Sequence, residues 1–472
     1  MQGSSFEGRV TRRTLLGAAA GAGAAIATRG LPAWARPVPG ACRPRKPDSL
    51  PFPHLPAGTP SMRHIEHIVV LMMENHSFDN VLGLVPYQAA GRELVDGLTR
   101  RRGRVVNFNP DANGNRIYAQ HMSSPCQLVG QPSQNWNASH QSVDGGRNDG
   151  FVKASGPVAM SYWDKRDLPF TYSLAKHFPI GERYFCSVLA QTYPNRRFFF
   201  AGTASGTIST TTAGLMPEAA NGTIFDRLDA YGIDWRVYYQ QIPSPLILPN
   251  FRNNPSQVAR TSPFDRFLTD ASAGLLPQFT FVDPNYSTTS EENPQDIQVG
   301  EQFVAQVVQA LISAPTWQHT ALFLTYDEHG GYYDHVPPPR AIEPDTIPPM
   351  LAPGDIPGSY DRYGFRVPLI VVSPWARRRY VSRLVQDHTS LTAFIEHKWN
   401  LPAMTYRDAN ADPMTDYFDF RHAAFAEPPP LAPAPPLGPG LEECHAAGLN
   451  PPLPPGTPGA APDVSRYLTG LA

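Results

Sequence analysis

The chain has 472 residues, enough for one large α/β domain or two ordinary domains, and its 41% of hydrophobic residues suffices for a packed core. The formal net charge is only −2, so the overall electrostatics do not favour nucleic acid as a partner. The basic run at residues 100–104 is short and isolated, which also argues against an extended nucleic-acid surface.

The first 35 residues predict an export signal. Arg12 and Arg13 form the paired arginines typical of the twin-arginine pathway, and a weakly hydrophobic Ala/Gly-rich run follows them. Ala33 and Ala35 place small residues at the −3 and −1 positions of a cleavage site. No later run is long and apolar enough to span a bilayer. We therefore expect a soluble mature protein outside the cytoplasmic membrane (extracellular, periplasmic or in the cell envelope), with the twin-arginine export machinery as a partner.

Proline-rich segments flank the central part of the chain. The 52 prolines are frequent near both ends, so residues 36–62 predict an extended arm and residues 426–472 an extended tail. Residues 63–425 remain as the main domain. No heptad pattern indicates a coiled coil, and a monomer is the default expectation.

Cysteines are few for a chain of this length, at positions Cys42, Cys126, Cys186 and Cys444. Four cysteines allow three pairings, and the sequence does not choose among them. An oxidising destination favours one or two disulfides. Their wide spacing, without a paired-cysteine motif, argues against a zinc site built from thiolates.

Buried strands alternate with amphipathic helices along the main domain. The strands are predicted at residues 68–73, 320–326 and 367–372, and the helices at residues 302–312 and 389–399. This alternation indicates an α/β fold with a mostly parallel sheet sandwiched by helices. In such sheets the loops at the carboxyl ends of the strands converge on one crevice. The long polar stretch at residues 85–170 is predicted to be an insertion that covers the site.

Acidic pairs follow two of the predicted strands. Glu74 and Asn75 come directly after the first strand, and Asp327 and Glu328 follow the strand at residues 320–326. Such residues are costly at strand ends unless they are exposed or paired with cations. One pair alone is explained as well by a helix cap or a solvated loop. Two pairs after two buried strands predict an oxygen-rich pocket for one divalent cation, with Ca²⁺, Mg²⁺, Mn²⁺ and Zn²⁺ all open.

A hydroxyl nucleophile is predicted in the segment Thr192–Arg196. Pro194 suits the first turn of a helix, so Thr192 should lie at a helix N-terminus, where backbone N–H groups and the helix dipole attract an anion such as a phosphoryl group. Asn195 and Arg196 are expected to donate hydrogen bonds to phosphate oxygens. A threonine before a proline is more often a simple helix cap. The predicted metal supplies the activation that a threonine hydroxyl needs as a nucleophile.

Histidines provide candidate proton donors. A histidine beside carboxylates can act as a general acid on the leaving oxygen, which accelerates a reaction by ~10²–10⁴-fold. His140 is the first candidate for this role, and His335, in the second acidic cluster with His329, is the next. A lone histidine is usually a surface or helix-capping residue.

Four motifs resemble, in order, the signature of the phosphoesterase family that holds bacterial and plant non-specific phospholipases C and the related secreted acid phosphatases. They are E-N-H-S-F-D at residues 74–79, T-Y-P-N-R at 192–196, D-E-H-G-G-Y-Y-D-H at 327–335 and D-H-T-S at 387–390. Together they extend over about residues 64–420, most of the mature chain. The resemblance implies an alkaline-phosphatase-like α/β core with a single hydroxyl nucleophile.

The resemblance also implies a role for each matched residue. Thr192 would form a phospho-enzyme, His140 would protonate the departing alcohol, and water would then release the phosphorylated product. The residues implied to surround one divalent metal are Glu74, Asn75, Asp327 and Glu328. The groups expected to bind phosphate are Asn75, Asn195, Arg196 and His329. Asp334 and His335 would join the catalytic groups.

Two positions depart from the family pattern. His76 stands where the family usually has arginine, and it is expected to perturb little. Asn293 stands where many relatives place a histidine before a proline, which removes one candidate active-site histidine. The substrate preference is therefore the property that these departures affect, while Asp296 is retained and is expected to contribute.

Three functions compete on this sequence. The leading interpretation is a phospholipase C that cleaves phospholipids and makes transient contact with a membrane surface. An acid phosphatase acting on small phosphomonoesters shares the same chemistry at phosphorus, and a catalytically silent exported binding protein is the alternative from another class. The insertion decides between the enzymes, because its aromatic residues would form either a choline-accepting wall or ordinary core. These aromatic residues are Phe151, Tyr162, Trp163 and Tyr172.

Overall fold

The computed structural model describes residues 44–450, so the predicted export signal and Cys42 lie outside the described residues. Its strands are β1 (His67–Met73), β2 (Arg100–Arg101), β3 (Arg104–Val105), β4 (Phe108–Pro110), β5 (Arg116–Tyr118), β6 (Gln120–His121), β7 (Ser161–Tyr162), β8 (Ile180–Gly181), β9 (Trp235–Tyr239), β10 (Thr261–Pro263), β11 (Phe279–Asp283), β12 (Thr320–Tyr326), β13 (Leu369–Val372) and β14 (Val381–Ser382). Its α-helices are α1 (Phe78–Leu82), α2 (Val85–Gln88), α3 (Trp136–Val143), α4 (Phe151–Ser155), α5 (Pro169–His177), α6 (Thr192–Ala201), α7 (Ile224–Ala230), α8 (Pro249–Arg252), α9 (Pro255–Val258), α10 (Phe264–Ala273), α11 (Ile297–Ile312), α12 (His388–Trp399), α13 (Tyr406–Ala409) and α14 (Pro439–Ala446).

Eight of these strands form one central sheet in the order β10-β9-β11-β1-β12-β13-β8-β14. Seven of them run in the same direction, and β13 is antiparallel to its neighbours β12 and β8. The predicted α/β fold with a mostly parallel sheet is therefore confirmed. β1 lies near the middle of the sheet, between β11 and β12.

Both faces of the sheet are covered. The three central strands are buried along almost their whole length, as expected for parallel strands with helices on both sides. On one face, Phe281 contacts Phe199 of α6 with ring centroids 5.4 Å apart. Phe323, in the same register, contacts Phe394 of α12 at 4.9 Å. These contacts fix α6 and α12 over β11 and β12, the two strands that flank β1.

The predicted elements are largely confirmed. The strands at residues 68–73 and 320–326 correspond to β1 and β12, and the closing helix corresponds to α12. The strand predicted at residues 367–372 is shorter and forms β13. The helix predicted from residue 302 begins at Ile297, because the Asp296 side chain caps it by accepting a hydrogen bond from the Gln298 N–H at 2.8 Å. Within residues 44–450 no helix has the length and hydropathy needed to cross a bilayer.

The insertion at residues 85–170 contains helices α2 to α4 and three two-stranded sheets, β2–β3, β4–β5 and β6–β7. It packs on the loop after β12, where a Cβ at Gly331 would come within 2.7 Å of the Ser133 backbone. A disulfide between Cys126 and Cys444, with Cα atoms 5.5 Å apart, joins the insertion to α14. Of the pairings that the sequence leaves open, the structure contains this one, and Cys186 is a buried free thiol.

Parts of the proline-rich ends contact the main domain where the structure describes them. The Asn400 amide donates to the carbonyls of Phe52, Leu55 and Pro56 at 3.0–3.2 Å. At the other end, residues 439–446 form α14, and Asn450 is buried. An extended tail is therefore not observed at residues 439–446, while residues 428–438 contain no helix or strand. The contacts of the arm form because proline removes a backbone donor but leaves carbonyl acceptors that side-chain amides can bind.

Candidate active site

Polar side chains meet at the carboxyl ends of β1 and β12. Because Met73 lies opposite Tyr326 in the parallel ladder, Glu74 and Asp327 begin side by side. The Asp327 N–H donates to the Met73 carbonyl at 3.1 Å, and the Asn75 N–H donates to Asp327 Oδ1 at 3.1 Å. Asn75 has a φ of 66°, in the left-handed region that asparagine tolerates better than most residues. The structure thus brings the two acidic pairs together.

Several buried polar atoms in this place lack a hydrogen-bond partner among the described residues. They are Glu74 Oε2, Asn75 Oδ1 and Nδ2, Glu328 Oε1, and both ring nitrogens of His329. His329 Nδ1 lies 3.2 Å from Glu328 Oε2 but without hydrogen-bond geometry, and its ring packs against Phe365 at 4.6 Å. Since buried polar groups are normally partnered, this concentration marks a place where a ligand completes the contacts.

The electrostatics of the cluster are dominated by carboxylates. Burial and the charges of Glu292 and Asp327 raise the pKa of Glu74 well above its usual value, and burial and Asp327 do the same to the pKa of Glu328. Burial, followed by the charge of Asp327, raises the pKa of Glu292 to about 7. Burial lowers the pKa of His329 to about 3, so its imidazole is neutral. The cluster therefore holds more negative charge than its surroundings compensate.

Arg196 compensates part of this charge. Its Nε donates to Asp327 Oδ2 at 3.0 Å, its Nη1 donates to Asp283 Oδ1 at 3.0 Å, and its Nη2 donates to the carbonyls of Met72 and Met73 at 3.3 and 3.4 Å. Every guanidinium nitrogen is thus used within the protein. These donors orient the carboxylates, and the binding of phosphate by Arg196 stays a prediction.

Asn195 is also committed to internal contacts. Its Oδ1 accepts from the Val188 N–H at 3.0 Å, and its Nδ2 donates to the carbonyls of Val188, Ala190 and Gln191 at 3.3, 2.8 and 3.0 Å. The side chain therefore holds the loop that leads into α6. The donation from Asn195 to phosphate stays a prediction.

Thr192 is the first residue of α6 and is 8% exposed. Pro194 lies in the first turn, as predicted, and Gln191 occupies the capping position without a side-chain cap. Arg196 follows Thr192 by four residues, which places both on one helix face, so the ion pair of Arg196 with Asp327 anchors this end of α6 beside the carboxylates. The charge of Glu74 contributes to raising the pKa of Tyr193 after burial, which is consistent with this proximity.

The donor types of the cluster at the ends of β1 and β12 suit a divalent cation, although within residues 44–450 the donor atoms that already lie within 4.8 Å of one another belong to other groups, such as Asp79, Asp334 and His335. Four carboxylates, those of Glu74, Glu292, Asp327 and Glu328, influence one another's charge, and Arg196 is the cation paired with them. Carboxylate and amide oxygens suit Mg²⁺, Ca²⁺ and Mn²⁺, and carboxylates with a neutral imidazole also suit Zn²⁺. A dication would give the unpartnered oxygens their missing contacts, and the metal's identity stays open.

His140 lies on α3 of the insertion. Its Nδ1 contacts the Trp136 carbonyl at 2.8 Å, and its ring lies over the Trp136 ring with centroids 4.1 Å apart. Its Nε2 faces the backbone of Gly358, where a Cβ would come within 2.7 Å. Burial lowers the pKa of His140. These contacts orient the ring, and the predicted role of His140 as a proton donor stays a prediction.

Asp334 and His335 belong to a second, separate cluster with Arg366. Arg366 donates through Nε to Asp334 Oδ1 at 2.8 Å and through Nη2 to Asp79 Oδ1 at 3.1 Å. His335 Nδ1 contacts Asp79 Oδ2 at 2.7 Å, and its Nε2 contacts Asp96 Oδ1 at 3.0 Å. Asp79, Asp334 and His335 lie close enough to hold a metal, but Arg366 already supplies the cation. These contacts hold both residues in place, and the catalytic roles of Asp334 and His335 stay predictions.

Of the four aromatic residues considered for a choline-accepting wall, three lie in the core, and Tyr162 is partly buried and lines a cavity. Phe151 and Trp163 are fully buried and Tyr172 is 2% exposed, so these three are core residues. Asn293, which replaces the family's usual histidine, donates to the Gly130 carbonyl at 3.1 Å and thereby ties the insertion to the site loop.

Sequence reasoning missed three residues near the site. Glu292 was overlooked beside Asn293, although it is one of two consecutive acidic residues in a polar loop. Asp283 ends the apolar run of β11, which is the same signal that identified Glu74 and Asp327. His388 contacts the Asp327 carbonyl through Nε2 at 2.6 Å. The D-H-T-S motif contains this residue but does not by itself indicate that contact.

Comparison with known proteins identifies relatives over most of the chain. A family model described as "Phosphoesterase family" matches residues 65–402. Non-specific phospholipase C1 of Arabidopsis thaliana is 32% identical, with 76% of this chain and 71% of that protein covered. Phospholipase C B of Mycobacterium tuberculosis is 29% identical, covering 75% of this chain and 78% of that protein. Among solved structures, a protein of the alkaline phosphatase superfamily from Vibrio parahaemolyticus is similar with a TM-score of 0.35 and 8% identity, covering 70% of this chain and 76% of that one.

The matched region contains the ends of β1 and β12, the start of α6 and the carboxylate cluster that these elements assemble. The family match and the named relatives support an enzyme, and the silent-binding-protein alternative has no support among them. The chain belongs to the Phosphoesterase family and is a phosphoric ester hydrolase.

Proposed function

We propose that this protein is an exported phosphodiesterase of phospholipase C type, which cleaves phospholipids between glycerol and phosphate through a Thr192 phospho-enzyme. The observation that supports it most is the position of Thr192, at the start of α6, beside a carboxylate cluster whose polar atoms lack partners. The names of the plant and mycobacterial relatives, all phospholipases C, support the substrate class.

Glu74, Asn75, Asp327 and Glu328 would hold the divalent cation, which would supply positive charge next to the nucleophile and the phosphoryl oxygens. Arg196 keeps Asp327 and Asp283 in place, and the backbone at the start of α6 attracts the phosphoryl group. The Thr192 oxygen attacks phosphorus as its proton passes to a solvent water. The bond from phosphorus to the alcohol oxygen breaks, and a proton from His140 completes the departing alcohol.

Hydrolysis of the phospho-enzyme completes the cycle. Water attacks phosphorus, the bond to the Thr192 oxygen breaks, and the threonine regains its proton. If His140 donates through Nε2 while its Nδ1–H is held by Trp136, the imidazole must begin doubly protonated. Since burial lowers the pKa of His140, this role favours activity at acidic pH.

Export through the twin-arginine pathway completes the proposal. The paired arginines and the small-residue cleavage site at the N-terminus support it. The Cys126–Cys444 disulfide is consistent with an oxidising destination.

The test is a parallel assay of the chain from Arg36 on p-nitrophenyl phosphorylcholine and p-nitrophenyl phosphate, with and without EDTA. We expect turnover of the diester that is lost with EDTA and with Thr192→Ala. Turnover of the monoester alone would instead favour an acid phosphatase. Activity that persists in Thr192→Ala would exclude the proposed nucleophile.

A further inference from the structure

One segment of the insertion concentrates positive charge. Between residues 98 and 121 the chain has five arginines and one acidic residue, Asp111, although its formal net charge is −2. Four of these arginines lie on the hairpin formed by β2 and β3, here called the arginine hairpin, residues 100–105. Arg100, Arg101, Arg102 and Arg104 are all exposed. This part of the surface therefore differs in charge from the rest of the molecule.

The charge of the arginine hairpin is not consumed by internal ion pairs. Within residues 44–450, none of its four arginines lies within salt-bridge distance of a carboxylate; Arg100 donates instead to the Gly103 carbonyl at 2.9 Å. Other exposed arginines do have acidic partners, for example Arg260 with Asp234 at 3.0 Å and Arg421 with Asp419 at 3.5 Å. The hairpin's charge is thus available to a partner.

A cavity of about 430 Å³ lies between the arginine hairpin and the segment after β7. Arg100, Arg104 and Arg166 line it together with Tyr162 and Asp164. Asp164 accepts from Arg166 at 2.9 Å, so these two charges balance and the cavity keeps the positive charge of the hairpin. Its volume falls within the range of ordinary ligand sites, about 300–1,000 Å³. The cavity therefore suits a phosphate-bearing group.

Exposed aromatic rings accompany the arginines. Tyr87 is 46% exposed, lies under Arg100 at 5.5 Å, and accepts a hydrogen bond from the Arg100 N–H at 3.0 Å. On the next hairpin, Phe108 and Tyr118 are directly paired, 39% and 48% exposed, and Arg116 lies over Phe108 at 4.6 Å. Aromatic rings favour the headgroup level of a bilayer, and arginines are attracted to anionic lipids. The combination indicates a lipid surface.

We propose that the arginine hairpin and the neighbouring aromatic rings dock the protein on an anionic phospholipid surface, with the cavity receiving the phosphate of one lipid. This docking would hold the enzyme at the surface where its proposed substrate lies, and in that respect it builds on the proposed function. Binding itself needs no catalysis, because none of the docking residues belongs to the carboxylate cluster.

The test is sedimentation of the mature Thr192→Ala protein with vesicles of phosphatidylcholine alone or mixed with phosphatidylglycerol, so that the vesicles stay intact. At about 1 kcal/mol per arginine near an anionic surface, we expect Arg100→Gln/Arg104→Gln to weaken binding to mixed vesicles by about 10- to 30-fold. The control Arg340→Gln/Arg421→Gln removes two exposed arginines elsewhere, 72% and 93% exposed, and should bind like the parent. Binding should weaken as salt rises.

Equal binding to neutral and anionic vesicles, or equal loss in both double variants, would overturn the proposal. Binding of a single-stranded oligonucleotide without vesicle binding, lost in Arg100→Gln/Arg104→Gln, would overturn it in favour of nucleic acid. The same substitutions in the active protein should leave turnover of soluble p-nitrophenyl phosphorylcholine unchanged. If the proposed function fails, that turnover is absent from the parent as well, while the vesicle result is still obtained.

Discussion

The two acidic clusters of this protein are built from adjacent motif residues but use their polar atoms differently. In the cluster around Glu74 and Glu328, several buried atoms lack partners and one arginine compensates four carboxylates. In the cluster around Asp334, Arg366 and His335 supply cations, and each carboxylate is paired. The difference teaches that unpartnered atoms, more than acidic residues as such, mark where chemistry takes place.

The largest effect is expected from a substitution in the cluster around Asp334, here called the paired cluster, which contains Asp79, Asp334, His335 and Arg366. Arg366→Met leaves Asp334 buried without a cation and Asp79 with His335 alone, and removing one partner of a buried ion pair costs about 3–5 kcal/mol of unfolding free energy. Urea unfolding measures this loss. The control Arg340→Met removes an exposed ion pair with Asp361 and should cost about 0–1 kcal/mol. Equal losses in the two variants would contradict the distinction.

A substitution in the cluster around Glu74 and Glu328, here called the unpartnered cluster, should lower activity without lowering stability. Glu328→Gln keeps the shape of the side chain but removes a buried charge, so the metal-free protein should be as stable as wild type or more stable. Its kcat should fall by about 10²–10³-fold, as for other losses of charge stabilisation at a reacting group. Diester turnover and urea unfolding on one preparation measure both. A variant that is less stable yet fully active would show that Glu328 is structural.

Removal of the metal with EDTA should show which of the two clusters holds it, and thermal stability is the only quantity that must be measured. A cation present at 100 times its Kd stabilises the native state by about 2.7 kcal/mol, so EDTA should lower the Tm of wild type. The shift should vanish in Glu328→Gln and persist in His335→Gln, which can be measured by thermal unfolding without substrate. Persistence of the EDTA shift in Glu328→Gln together with its loss in His335→Gln would assign the metal to the other cluster.

The smallest effect concerns the pH dependence of the paired cluster. Burial would lower the pKa of His335, but the charge of Asp79 and hydrogen bonds to Asp79 and Asp96 raise it to about 10 from an ordinary value of 6.5. The stability that protonated His335 contributes is therefore complete below pH 6.5 and declines as the pH rises to about 10. The difference in unfolding free energy between wild type and His335→Gln should follow this course.

The matched control for that pH course is His319→Gln, whose side chain is 48% exposed and lies 3.5 Å from Glu66. Its stability difference from wild type should stay small over the same range. A difference for His335→Gln that grew between pH 6.5 and 10 would mean that neutral His335 is the stabilising form.

The fold and the position of the site were predictable because apolar runs that end in acidic residues mark the strand ends. Glu74 and Asp327 were found in this way, and Asp283 obeys the same rule. The different surroundings of Asp327 and Asp334 were not predictable. Both residues lie in one motif, but Asp327 pairs with Arg196 and Asp334 pairs with Arg366, and these two arginines are distant in sequence.

The internal contacts of Asn195 and Arg196 were not predictable for a related reason. A side chain that donates to phosphate and one that donates to backbone carbonyls or carboxylates have the same residue type, and only the fold determines which acceptors are near. The sequence also gave no indication that Asn293 holds Gly130 of the insertion, because that contact joins segments 163 residues apart.

The most direct measurement is isothermal titration calorimetry of Mn²⁺ into the metal-free protein, with Glu328→Gln and Asp334→Asn in parallel. The unpartnered cluster predicts one site that is lost in Glu328→Gln and retained in folded Asp334→Asn. A site that survives Glu328→Gln and disappears in Asp334→Asn would contradict the assignment of the metal, and with it the placement of the active site beside Thr192.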